Sequence, residues 1–194
     1  MRNLKKILAL VLALVMSLSL MATAGASSFQ DVADDNPYAT AIDVLDALKV
    51  FVGFDDGTFR PDSTLTRAQA AVLFYRIATG DVDNEYVQNY TYMASNKFND
   101  LAGYGWAQGY INYCQNAGIV VGYSDTIFAP GRNVTGYQLM IMMLRTLGYD
   151  KYGEFSGTDW ELKSASKCRE LGMLTTVLHI CYLIQKHSCL LPGH

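Results

Sequence analysis

The sequence is short of the groups that most catalytic chemistry requires. It holds three histidines and four cysteines. It has no Gly-x-Ser-x-Gly elbow, no phosphate-cradling glycine loop and no His-Glu-x-x-His zinc helix. Cys114, Cys168, Cys181 and Cys189 follow no zinc spacing, and His179 and His187 do not complete a ligand array with them. Neither a metal nor a cofactor is therefore expected. An exported chain could pair these thiols, but Cys114 falls on an apolar helical face, where a buried free thiol is the simpler reading. Asp34-Asp35 and Asp55-Asp56 are sequence neighbours on turns, not the opposed carboxylates of glycoside cleavage, and they are too few for an EF-hand loop. Net charge is −3, with both signs scattered. That excludes the basic stripe of a nucleic-acid binder. Beyond the first twenty residues, no apolar run is long enough to span a bilayer. These absences point to a binding or structural protein rather than an enzyme.

The amino-terminal residues read as an export signal. Arg2, Lys5 and Lys6 precede an apolar core from Ile7 to Leu20, and Ala24-Gly25-Ala26 supplies a small-residue cleavage site. That order describes a secretory signal peptide over residues 1–26. The core is short for crossing about 30 Å of hydrocarbon, so no membrane span is expected after cleavage. About 168 of the 194 residues would remain, enough for one domain or a tight array of small units.

The remaining chain repeats itself. A shift of 69 residues aligns two segments without a gap. Phe29-Gln30-Asp31-Val32 falls on Phe98-Asn99-Asp100-Leu101, Val52-Gly53-Phe54-Asp55-Asp56 on Val121-Gly122-Tyr123-Ser124-Asp125, and Phe59-Arg60-Pro61 on Phe128-Ala129-Pro130. Leu65-Thr66 falls on Val134-Thr135, Gln69 on Gln138 and Arg76 on Arg145. A third copy starts at a shift of 54, with Trp106 on Trp160 and Cys114 on Cys168, and stops after Leu174. A diverged tail, a reading-frame shift and a truncated gene would each explain the stop. The divisions are 27–79 for the first repeat, 80–97 for a Tyr/Asn-rich connector with room for a short helix, and 98–150 for the second repeat. A partial third repeat covers 151–174, and 175–194 is an atypical tail.

Each repeat predicts helix, turn, helix. Tyr38, Ile42 and Leu45 sit near helical spacing, with Pro37 suited to a first turn. Asp56-Gly57 marks a turn. Thr66 stands at an N-cap, and Gln69 completes a capping box. The second repeat predicts helices from about Gly105 to Asn116 and from Thr135 to about Leu147, and the third only one, from about Asp159 to Leu171. A single helix pair cannot bury its apolar face alone, so the repeats must share a core in an all-α array. Phe29, Phe59, Phe98 and Phe128 are its expected members.

These residues resemble S-layer homology repeats. The family's unit runs from Phe-x-Asp-Val through Gly-Tyr-x-Asp-Gly-Thr-Phe-x-Pro to Thr-Arg-Ala-Glu. Here the first repeat carries Phe29-Gln30-Asp31-Val32, Gly53-Phe54-Asp55-Asp56-Gly57-Thr58-Phe59-Arg60-Pro61 and Thr66-Arg67-Ala68-Gln69. The second departs at Gly136-Tyr137-Gln138, where Gly136 takes the arginine's place. The resemblance implies a pseudo-trimer around a shared helical bundle, here with its third unit incomplete. It also implies secretion to the cell wall and non-covalent anchoring to an acidic secondary cell-wall polysaccharide, often bearing pyruvate ketals, with the motif arginine as principal contact. Arg67 would then grip a carboxylate through its fork, helped by free N–H groups and the positive end of its helix. Phe54 or Trp106 would stack on sugar, Asp31 or Asp56 would accept hydroxyls, and Thr66 completes the expected site. The residues also allow plainer roles: turn caps for Asp31 and Asp56, core for Trp106 and a solvated surface position for Arg67. Two further functions stay open: a degenerate repeat protein that self-assembles or binds partners without glycan, and the anchor fragment of a truncated surface enzyme.

Overall fold

Each repeat closes its turn with a carboxylate from 28 residues upstream. Asp31 accepts the backbone N–H groups of Phe59 at 2.8 Å and Arg60 at 2.7 Å. Asp100 accepts those of Phe128 at 2.9 Å and Ala129 at 2.7 Å. Arg60 and Ala129 both have φ of 59°, in the left-handed region that side chains rarely adopt. Charge-assisted bonds to the flanking amides hold the chain in that conformation. Gly53 and Gly122 complete the device: a Cβ at either would collide with the ring of Phe29 or Phe98. The ungapped sequence match thus reflects one backbone solution used twice.

These features belong to a computed structural model that describes residues 29–91 and 97–173. The expected leader over 1–26, the tail over 175–194 with Cys181 and Cys189, and Tyr92 of the connector lie outside those residues. Among the described residues the regular structure is helical, with six α-helices, one 3-10 turn and no strand. No described helix is long and apolar enough to cross a membrane. The described chain forms two compact units, divided between Ser63 and Thr64.

The first unit holds α1, Ala39–Ala47. Asn36 leads into it: its side-chain oxygen accepts the N–H of Tyr38 at 2.9 Å and its carbonyl that of Ala39 at 3.0 Å. Pro37 therefore precedes the helix instead of lying in its first turn: it sits inside the turn that Asn36 closes, and Tyr38 is the N-cap. The helix ends in a Schellman motif: Lys49 N–H bonds Asp46 O at 2.8 Å, and Val50 N–H bonds Leu45 O at 3.0 Å. Lys49 carries the left-handed φ of 57°. The corresponding bonds at the ends of the second and third repeats' first helices place Gly118 and Gly172 there. Ile42, Phe29, Val32 and Phe59 form the core, with Phe59 ringed by Phe29 and Phe51 at 5.3 and 4.9 Å.

The second unit contains α2 (Arg67–Thr79), α3 (Gln88–Thr91), a 3-10 turn (Gly105–Ala107), α4 (Gln108–Asn116), α5 (Gly136–Thr146) and α6 (Trp160–Glu170). Both expected capping boxes form, Thr66 with Gln69 and Thr135 with Gln138. Helix α2 packs on both α4 and α5, and α5 packs on α6. Being hemmed in explains its composition: Ala68, Ala70, Ala71, Leu73, Phe74 and Tyr75 are all buried, and small residues allow close approach. Cys114 of α4 donates its thiol hydrogen to Ala71 O at 3.4 Å. Leu139, Met140, Ile141, Met142 and Leu144 of α5 fill the other side. Phe98 and Phe128 are buried with their rings 5.2 Å apart. Cys114 and Cys168 are both buried free thiols. The connector contributes Tyr90, edge-on to Tyr75 and Tyr113 at 6.3 and 5.0 Å. The Tyr75 hydroxyl donates to Asp81, which also accepts the N–H groups of Glu85 and Tyr86.

Candidate functional site

A short antiparallel contact decides where Arg67 points. Thr66 bridges Asn133, and Val134 N–H bonds Leu65 O at 2.9 Å. The backbone N–H of Arg67 then donates to Arg132 O at 2.8 Å, that of Ala68 to Pro130 O at 3.0 Å, and that of Gln69 to the Thr66 hydroxyl at 3.3 Å. The free N–H groups expected at this helix start are thus already taken, because the second repeat's loop lies across it. No anion nest remains on those three amides.

The same contact drives the Arg67 side chain under the second repeat's turn. The residue is 3% exposed. Its Nε donates to Phe128 O at 2.8 Å and its Nη2 to Val121 O at 2.7 Å. Its Cζ lies 4.5 Å from the centre of the Phe128 ring and 4.8 Å from that of Tyr123. Burial lowers the pKa of this guanidinium, and Arg132 acts in the same direction, while Tyr123 and Asp100 oppose them. An arginine still stays charged over the working range. The Nε–Nη2 edge, the fork that best fits a carboxylate, is filled by two carbonyl oxygens.

Above it lies an exposed strip. Tyr123 is 46% exposed and accepts a hydrogen bond at 3.1 Å from Nε2 of Gln138, the capping-box residue of α5. Arg132 is exposed, with its Cζ 4.6 Å from the Tyr123 ring centre. Two guanidiniums therefore share one tyrosine. The Tyr104 hydroxyl occupies the space where a Cβ on Gly131 would go, beside Arg132. Trp106 lies next along, 56% exposed, its ring 6.4 Å from that of Tyr104. Trp106 is thus a surface side chain, set on the outer side of the 3-10 turn while Ala107 faces inward. None of the ion pairs among the described residues involves Arg67 or Arg132.

The remaining expected site residues lie in the first unit. Both Asp31 oxygens accept backbone N–H groups. Phe54 and Asp56 are brought together by Arg60, whose Cζ lies 3.9 Å from the Phe54 ring centre and whose Nη2 lies 2.7 Å from Asp56. Hydrogen bonds from Thr58 and then Arg60 hold the Asp56 carboxyl down at about 2. The two turns therefore differ: the first pairs its arginine with Asp56, whereas Arg132 beside the second is in no ion pair among the described residues. The sequence reading does not single out Arg132, Tyr104, Tyr123 or Gln138 as site residues; the structure brings them together in this strip. The available signal was the turn alignment, which puts Tyr123 on Phe54. Arg132 falls on Ser63 and carries no repeat signal.

The S-layer homology domain matches residues 28–71 and 97–139, stretches that overlap the two repeated segments. The chain is 32% identical over 176 residues to a cell surface protein of Thermoanaerobacter kivui, covering 90% of this chain and 22% of that protein. It is 29% identical to the middle cell wall protein of Brevibacillus brevis, over 69% of this chain and 12% of the relative. It is 30% identical to a cellulosome-anchoring protein of Acetivibrio thermocellus, over 62% of this chain and 26% of the relative. The chain spans about a quarter or less of each relative's length. No solved structure matches significantly.

Proposed function

We propose that this secreted cell-surface protein, which carries two domains of the S-layer homology family and belongs to it, is a binding module that fastens non-covalently to an acidic glycan of the bacterial cell wall through the exposed strip of its second unit. The observation that carries this reading is a buried guanidinium in no ion pair among the described residues, lying under an exposed tyrosine. Arg67 gives the turn a fixed positive charge in a poorly hydrated place, where its field is screened less than at an open surface. Tyr123 and Trp106 offer flat apolar faces to sugar rings, and the Tyr123 hydroxyl offers a polar handle. In this reading Arg67 acts through its charge and by holding the turn, since its fork is engaged. The cellulosome-anchoring and cell-wall relatives fit a wall-attachment role.

Sedimentation with purified walls tests the proposal. The protein should co-sediment with walls that retain their acidic secondary polymer and stay in solution with walls stripped of it. Trp106→Ala and Tyr123→Ala should each weaken retention. Equal retention on stripped walls would refute it. A second reading, self-assembly without glycan, is favoured by Gly136 replacing the second motif arginine. It predicts concentration-dependent oligomers in sedimentation velocity and no wall binding.

A further inference from the structure

We propose that Arg132 is the carboxylate-binding fork of the second unit and replaces the arginine that the motif lacks at Gly136. This rests on the glycan-binding reading above. The motif position cannot serve, because Gly136 has no side chain, and Arg67 cannot serve through its Nε–Nη2 edge, because Phe128 O and Val121 O occupy it. Arg132 comes from a different place in the sequence, four residues before Gly136, and reaches the same tyrosine.

Three features prepare it for an anion. Its backbone is clamped on both sides: its N–H donates to Ala129 O at 3.1 Å and its carbonyl accepts the Arg67 N–H at 2.8 Å. Its side chain is exposed, lies against Tyr123 and has no ion pair among the described residues. It also lies close to a second guanidinium, that of Arg67, on the same ring. Two like charges in one place repel, and a carboxylate relieves the repulsion while accepting hydrogen bonds from the fork. Tyr123 adds a donor. Its oxygen accepts from Gln138, so its own O–H proton can turn outward. The first unit shows the contrast: there Asp56 takes the place of such an anion against Arg60. The ligand class is a sugar bearing a carboxylate held close to the ring, as in a pyruvate ketal, whose flat face would meet Trp106 or Tyr104.

The experiment titrates the full chain, without its leader, with a methyl hexopyranoside carrying a 4,6-pyruvate ketal, and with the same glycoside lacking the ketal. Calorimetry gives the affinity, and the Tyr123 ring resonances report the location. The wild type should bind the ketal and shift Tyr123, and the plain glycoside should bind at least tenfold more weakly. Arg132→Gln should lower ketal affinity at least tenfold, and Arg132→Lys should recover part of it, since an ammonium keeps charge but loses the fork. Lys163→Gln, which removes an exposed charge on α6, should bind as wild type. Near-ultraviolet circular dichroism checks that each variant is folded. Wild-type affinity in Arg132→Gln with walls still bound overturns the assignment and leaves the anchoring role standing. Failure of the wild type to bind both walls and ketal removes both.

Discussion

Replacing Arg67 with alanine separates a ligand contact from a clamp. The substitution removes two hydrogen bonds from a charged donor, each contributing about 1.5–3 kcal/mol. It also removes the packing of the guanidinium against Phe128 and Tyr123, roughly 0.5–2 kcal/mol per ring. It leaves the carbonyls of Phe128 and Val121 facing a void. Against this stands the relief from desolvating a cation and from its repulsion with Arg132. Two stranded carbonyl acceptors cost about 1–3 kcal/mol each; with the lost ring packing and the offsetting relief, the expected destabilisation is about 2–4 kcal/mol. For a unit of this size the melting temperature should fall by roughly 10–20 °C, and the urea midpoint should move down with little change in slope. Arg67→Lys should recover less than half, since one ammonium cannot meet two carbonyls along a planar edge. The measurement is urea unfolding followed by circular dichroism, beside wall binding of each variant below its own melting point. If Arg67→Ala changed stability by less than about 0.5 kcal/mol yet abolished binding, the clamp would be wrong and Arg67 would be a surface ligand residue.

Other outcomes follow from single features. Lys49→Gly should stabilise the first unit by about 1 kcal/mol, because the left-handed position at the end of α1 strains any residue with a Cβ; thermal unfolding checks this. Asp81→Ala should cost about 2 kcal/mol, since it strands the Tyr75 hydroxyl and the amides of Glu85 and Tyr86. A matching loss in Tyr75→Phe, with strong non-additivity in the double variant, would support that network. Burial pushes the Cys168 thiol up to about 11 and raises Cys114 as well. Both should resist alkylation at pH 8 until the chain unfolds, as peptide-resolved mass spectrometry would show. The unfolded thiol ionises first, so the stabilisation linked to Cys168 is complete below about pH 8.5 and is lost as pH rises toward 11. Rapid native-state labelling of Cys168 would contradict its buried position.

What the sequence made legible is the part governed by neighbours along the chain. Thr66 and Gln69 announce their capping box because both partners lie within one helical turn. The turn aspartates and the paired phenylalanines announce themselves because the repeat writes them twice. What stayed hidden depends on contacts between distant segments. Nothing local to Arg67 shows that Phe128 O and Val121 O, more than fifty residues on, take its fork. Arg132 is hidden differently: it falls on Ser63 in the repeat, and only the path of the second turn brings it to Tyr123. Trp106 could have been core or surface, since an aromatic at the mouth of a helix serves either. The direction of the 3-10 turn decides it. Pro37 suggested the start of α1 two residues early because proline suits a first turn but does not reveal the turn that Asn36 makes with the Tyr38 N–H just ahead of the helix.

The division between Ser63 and Thr64 has a consequence for anyone cutting or splicing this chain. Helix α2 is written as the close of one sequence copy but lives among the helices of the next. The portable piece is therefore offset by half a period from the duplicated text. A fragment trimmed at residue 79 would carry α2 away from α4 and α5 and expose its alanine-lined flank, whereas one opened at Thr64 keeps the clamp, the strip and their scaffold in a single excisable block.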